Sequence, residues 1–131
     1  MILKFTRVAA LAATMNLAGS AVFAAASDYA FEPVSAEMKK GDDLTVAVRL
    51  TNKVTGKPVA DAVIVRTRVD MAPDGMAEME SQVAPLPAPE PGIYAFKTDL
   101  PMAGRYQLSL SAKVQGEPET VTGKVVIKAN K

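Results

Sequence analysis

Apolar and polar residues alternate with a period of two in several short stretches of this 131-residue chain. The pattern is clearest at Leu44, Val46, Val48 and Leu50, and it returns over residues 106–111. Successive side chains of a strand point to opposite faces, so this alternation is typical of β-strands with one buried face. Gly and Pro separate the stretches, and no helical period follows residue 26. The pattern therefore predicts an all-β protein rather than a helical or α/β one.

The spacing of the stretches favours an immunoglobulin-like antiparallel β-sandwich of about seven strands. We expect these strands at 29–34, 43–51, 62–69, 81–85, 92–98, 106–111 and 120–128. Prolines should end the fourth strand early and make residues 85–91 a stiff connection, and Asp70 to Glu80 is predicted to be a loop. Tyr106 follows Gly104 at the start of a strand, which is the position of a corner tyrosine whose hydroxyl bonds to the backbone.

Residues 1–26 have the composition of a signal peptide. Lys4 and Arg7 precede an apolar stretch at 8–17, and small residues supply a cleavage site at 22–24 or 24–26. A transmembrane anchor is the alternative, but polar residues interrupt the segment, and its strongly apolar part is shorter than the roughly 20 residues a span needs. We therefore expect a periplasmic or secreted domain over residues 27–131, with no stable membrane insertion after cleavage.

Histidine and cysteine are both absent from the chain. Nucleophilic triads, thiolate or imidazole metal sites, disulfides and a lipidated thiol are therefore impossible. The remaining acidic pairs, such as Asp42 with Asp43 or Glu78 with Glu80, have the spacing of solvated turn residues. Without Lys4 and Arg7 the chain has one more acidic than basic side chain, with the signs interspersed, which does not favour nucleic acid. We predict neither an enzyme nor a nucleic-acid-binding protein.

Five of the seven methionines follow residue 26, and none lies in a predicted strand. The five are Met38, Met71, Met76, Met79 and Met102. If the strands run up and down, the connections that carry them lie at one end of the domain. Thioether sulfur is a soft ligand that suits Cu(I) and stays functional where thiols oxidise. Methionine is also an adaptable packing residue in cores and on partner surfaces. Metal coordination, a protein contact and plain packing therefore remain as alternatives.

Arg66 and Arg68 lie two positions apart, so they share one face of the third strand. The pair forms either a small basic stripe for a partner or an ordinary solvated face.

Four segments of the chain resemble the YtkA-like, or FixH-like, domain of small exported or membrane-anchored bacterial proteins. They are 55–62, the methionine-bearing 71–79, 91–94 and 100–108, which includes the Pro-Met-Ala-Gly corner. The resemblance implies a β-sandwich outside the cytoplasm, linked to heavy-metal efflux or to copper supply for oxidase assembly. The segment 71–79 has no histidine nearby, which restricts the expected site to Cu(I) rather than Cu(II).

These observations together predict a periplasmic protein that holds Cu(I) or Ag(I) through Met71, Met76 and Met79, with Met102 and Met38 assisting. It would pass the metal to an envelope partner, either an efflux component or an oxidase-assembly factor. The alternative is an accessory module that binds no metal and docks onto an envelope protein through its methionine-rich rim or an edge strand.

Overall fold

The computed structural model describes residues 28–131, which form nine β-strands in two packed sheets. The predicted signal peptide at 1–26 lies outside the described residues. The strands are β1 Tyr29–Pro33, β2 Glu37–Lys39, β3 Gly41–Asn52, β4 Val63–Met71, β5 Met76–Ser81, β6 Val83–Glu90, β7 Ile93–Leu100, β8 Gly104–Lys113 and β9 Val121–Asn130. Between residues 28 and 131, no helix is long and apolar enough to cross a membrane.

Sheet one has the strand order β1-β3-β7-β6, and sheet two has the order β2-β9-β8-β4-β5. Neighbouring strands are antiparallel, except that the short β2 runs parallel to β9. The predicted all-β sandwich is confirmed, with nine strands where about seven were expected. The two additional strands are β2 and β5.

The segment Asp70 to Glu80 is not the loop that the sequence predicted. A 3-10 turn over Ala72–Asp74 joins β4 to β5, and Met71 pairs with Met76 across this hairpin. Strand β5 lies at the edge of sheet two, and most of its side chains are exposed. It therefore lacks the alternation of a half-buried strand, which is why the pattern did not reveal it.

The proline-rich segment is also a strand and not a stiff connection. Strand β6 spans Val83–Glu90 through three prolines and pairs only with β7, at the edge of sheet one. An edge strand tolerates proline because its outer side needs no N–H donors. Only Gln82 separates β5 from β6, so the chain crosses from sheet two to sheet one at this residue.

The core lies between the two sheets and is lined by the residues that alternate in the sequence. Val46, Val48 and Leu50 are buried from β3, and Tyr106, Leu108 and Leu110 are buried from β8. At Gly123 of β9 the two sheets approach closely, since an added Cβ would collide with the Phe31 ring of β1. A side chain at this position would therefore push the sheets apart.

Candidate metal centre at the methionine end

The strand register brings all five methionines to one end of the sandwich, called here the methionine end. Strand β4 finishes at Met71 opposite Met76, the first residue of β5. Strand β8 starts at the same end, where Gly104 lies opposite Ala129, and Met38 of β2 pairs with that same Ala129. Met79 follows Met76 in β5, and Met102 lies in the corner between β7 and β8. The methionines lie at one end of the domain, as predicted, but four of the five lie in strands and not in connections.

Burial divides these methionines into two groups. Met71 is only 1% exposed and belongs to the core, and Met38 and Met76 are partly buried against the same core. Met79 and Met102 are exposed, at 45% and 41% of their surface. The structure therefore offers two exposed thioethers, at Met79 and Met102, and two partly accessible ones, at Met38 and Met76, whereas Met71 is enclosed. The alternation in β4 could have predicted the burial of Met71, because Met71 lies two positions after the inward-facing Val69.

The corner that carries Met102 is held by Tyr106. The Tyr106 hydroxyl donates to the Met102 carbonyl oxygen at 2.9 Å and accepts from the Met102 N–H at 3.2 Å. The Tyr106 side chain is buried, so its ring anchors this corner to the core. The predicted corner tyrosine is confirmed. It fixes the backbone of Met102 while leaving the side chain in solvent.

The hairpin before Met76 is tied to β8 by Asp74. Its carboxylate accepts hydrogen bonds from the Arg105 N–H at 2.8 Å and from the Arg105 Nε at 2.7 Å. Gly104 makes this approach possible, because an added Cβ would lie 2.6 Å from the Met71 Cε and 2.8 Å from the Asp74 Oδ2. The segments that carry Met76 and Met102 are therefore held to the same strand. No local sequence pattern predicts this ion pair, since its partners are 31 positions apart.

The carboxylates around this end are engaged with protein donors. Hydrogen bonds from the backbone and side chain of Arg105 lower the pKa of Asp74. Burial alone would raise the pKa of Asp70, but hydrogen bonds from Arg68 and from the Ala72 N–H outweigh it and lower that pKa. Across residues 28–131 no group of three or more His, Cys, Asp or Glu side chains is placed to hold a metal ion. Thioethers are thus the donors that this end offers to a soft cation.

A second exposed feature is one edge of β4, called here the β4 edge and consisting of Val63–Arg68. Strand β5 pairs only with the last three residues of β4, so among the described strands none covers the β4 edge on that side. Val63 and Val65 are exposed there, at 61% and 50%. Beside them, a cleft of about 260 Å³ opens between the two sheets and is lined partly by Pro85 and Phe96.

Comparisons with known proteins identify the family. The chain is similar to the solved structure titled "ZirS C-terminal Domain", with a TM-score of 0.46 and 12% identity, covering 94% of this chain and 87% of that one. A comparison with curated protein sequences gives no match. The sequence profile of the family described as YtkA-like matches residues 23–111, which is more than half of the chain. The chain therefore belongs to the YtkA-like family.

Proposed function

We propose that this protein binds Cu(I) or Ag(I) at the methionine end, outside the cytoplasm, and passes the metal to an envelope partner. The ligands are Met76, Met79 and Met102. Met71 has a different role from the one that its sequence position suggested. Moving its side chain out of the core would leave a cavity, at a cost of about 2–5 kcal/mol. Met71 therefore supports the ligands by packing. We assign the same role to Met38, which is partly buried against the same core and lies on the short strand β2.

One observation carries this proposal: two methionines from different segments are exposed at the same end of the domain, beside a third that is partly accessible. Thioethers are neutral, so they bind a soft cation without losing a proton. Exposed ligands also suit a carrier, because a partner can approach the metal directly. The predicted signal peptide supports a location in the periplasm or outside the cell, and the partner is an efflux component or an oxidase-assembly factor.

The experiment is an anaerobic titration of the full chain with Cu(I) against a chromogenic chelator. We expect one equivalent of Cu(I) to be retained by the protein. The triple variant Met76→Leu, Met79→Leu, Met102→Leu should lose it, because leucine keeps the apolar volume and removes the sulfur. Met38→Leu is the matched control and should bind as the unmodified protein does. Equal retention by the triple variant, or no retention by either protein, would refute the proposal.

A second candidate function is docking onto an envelope protein without metal, and the β4 edge favours it. An uncovered edge strand presents backbone donors and acceptors with which an extended segment of another protein can pair. The prolines of the facing strand β6 direct such pairing to β4. A photo-crosslinking residue at Val65 should then capture one partner in cells. The same residue at Val126, which is 45% exposed on the inner strand β9, should not. Equal capture at both positions would exclude this role.

A further inference from the structure

The outer face of sheet two carries a depression of about 270 Å³, called here the outer depression. Its polar lining comes from three adjacent strands in two cross-strand rows. One row is Arg66, Ser111 and Thr122, and the other is Arg68, Ser109 and Lys124. The serines come from the middle strand β8, and the longer basic side chains come from β4 and β9. The two outer strands lie about 10 Å apart, twice the spacing of neighbouring strands.

The shape of the outer depression follows from these side-chain lengths. Ser109 and Ser111 are short, so they form its floor and present hydroxyl groups that can donate hydrogen bonds. Arg66 and Arg68 rise on one side, and Lys124 rises on the other. None of the side chains that line the depression is a carboxylate, and the nearby Asp70 and Glu80 are paired with Arg68. The result is a concave surface whose charged lining residues are all cationic.

The two arginines differ in what they already bind. The Arg68 Nε lies 2.6 Å from the Asp70 carboxylate, and its Nη1 lies 3.0 Å from the Glu80 carboxylate. The Nη2 donates a hydrogen bond to the Ala77 carbonyl oxygen at 2.8 Å. Arg68 is therefore committed to its own hairpin. Within residues 28–131, neither Arg66 nor Lys124 makes an ion pair. Lys124 does interact electrostatically with the nearby Asp70, whose pKa it helps to lower. Since neither cation is held in an ion pair, both can still donate to a ligand.

We propose that the outer depression binds a tetrahedral oxyanion, a phosphate or sulfate group, between Arg66 and Lys124 and above the hydroxyls of Ser109 and Ser111. Guanidinium donors match such oxygens in pairs, an ammonium adds a point charge, and hydroxyls satisfy the remaining lone pairs. None of these residues belongs to the methionine end, so this site is independent of the proposed metal function. The oxyanion is either free in solution or carried as an ester on a larger molecule.

The first test is an NMR titration of the full chain with inorganic phosphate, following backbone amides. We expect saturable shifts centred on Ser109, Ser111 and Thr122. The double variant Arg66→Gln, Lys124→Gln should bind at least about tenfold more weakly, because it loses two charged donors. The matched control Lys113→Gln, Lys128→Gln has the same net charge but leaves the depression intact, and it should bind phosphate unchanged.

The second test uses vesicles to separate a free anion from a lipid phosphate ester. Vesicles of phosphatidylglycerol with phosphatidylcholine are sedimented with the protein, and pure phosphatidylcholine vesicles are the reference. If the unmodified protein and the control variant cosediment and the Arg66→Gln, Lys124→Gln variant does not, the ligand is a lipid phosphate. Saturable phosphate binding without cosedimentation identifies a free anion. The proposal is overturned if neither arm shows saturable binding, or if both double variants weaken binding equally.

Discussion

Replacing Tyr106 by Phe should destabilise the protein and loosen the corner that carries Met102. The change removes one hydroxyl and with it two hydrogen bonds, to the Met102 carbonyl and from the Met102 N–H. Each such bond contributes about 0.5–1.5 kcal/mol net, so the free energy of unfolding should fall by about 1–3 kcal/mol. In a domain of this size that corresponds to a decrease in Tm of about 5–15 °C.

A matched control for this change exists near the opposite end of the core. The Tyr94 hydroxyl donates to the Val59 carbonyl at 2.7 Å and accepts from the Ala62 N–H at 3.1 Å. Tyr94→Phe should thus cost a similar amount of stability, measured by urea unfolding. Native-state hydrogen exchange should then separate the two variants, since exchange accelerates at the Met102 amide in Tyr106→Phe and at the Ala62 amide in Tyr94→Phe. An unchanged stability together with an unchanged Met102 exchange rate in Tyr106→Phe would rule out this role of the Tyr106 hydroxyl.

Two further predictions concern the scaffold around the methionine end. Gly104→Ala should lower the free energy of unfolding by about 1–3 kcal/mol in thermal denaturation, because its Cβ would press on the Met71 Cε and its φ of 152° disfavours a side chain. An unchanged Tm would show that this corner has room. In the folded protein the pKa of Asp70 is below its ordinary value. The Asp70 carboxylate therefore adds to the free energy of unfolding above about pH 4, the ordinary pKa of the unfolded chain. That stabilisation is lost as the pH falls through the lower pKa of the folded state. Asp70→Asn should therefore flatten the acid side of the stability profile, and an identical profile would contradict the role given to the bond with Arg68.

The sequence predicted the strands whose two faces differ in burial and missed those without that contrast. Strands β3 and β8 each bury one face, so their alternation is visible in the residues themselves. Strand β5 is exposed along most of its length, and β6 contains three prolines, so neither shows a period. Strand β2 has only three residues and depends on pairing with β9, about ninety positions away. Such long-range pairing leaves no mark in a local pattern.

The candidate site was predictable in its position but not in its accessibility. Counting connections was enough to expect the methionines at one end of the domain. The burial of each methionine depends on its place in the fold. Met71 is the last residue of β4 and faces the core, so it is enclosed. Met102 lies in the corner after β7 and is exposed to solvent. The ion pair between Asp74 and Arg105 arises only when the hairpin folds against β8. Tertiary packing thus decides which thioethers are exposed.

The most direct test of the proposed metal site is X-ray absorption spectroscopy of the full chain loaded with one equivalent of Cu(I). We predict a first coordination shell made of sulfur, which is lost when Met76, Met79 and Met102 are replaced by leucine and kept when Met38 is replaced. A shell made only of nitrogen and oxygen, or a sulfur shell that survives the triple replacement, would contradict it.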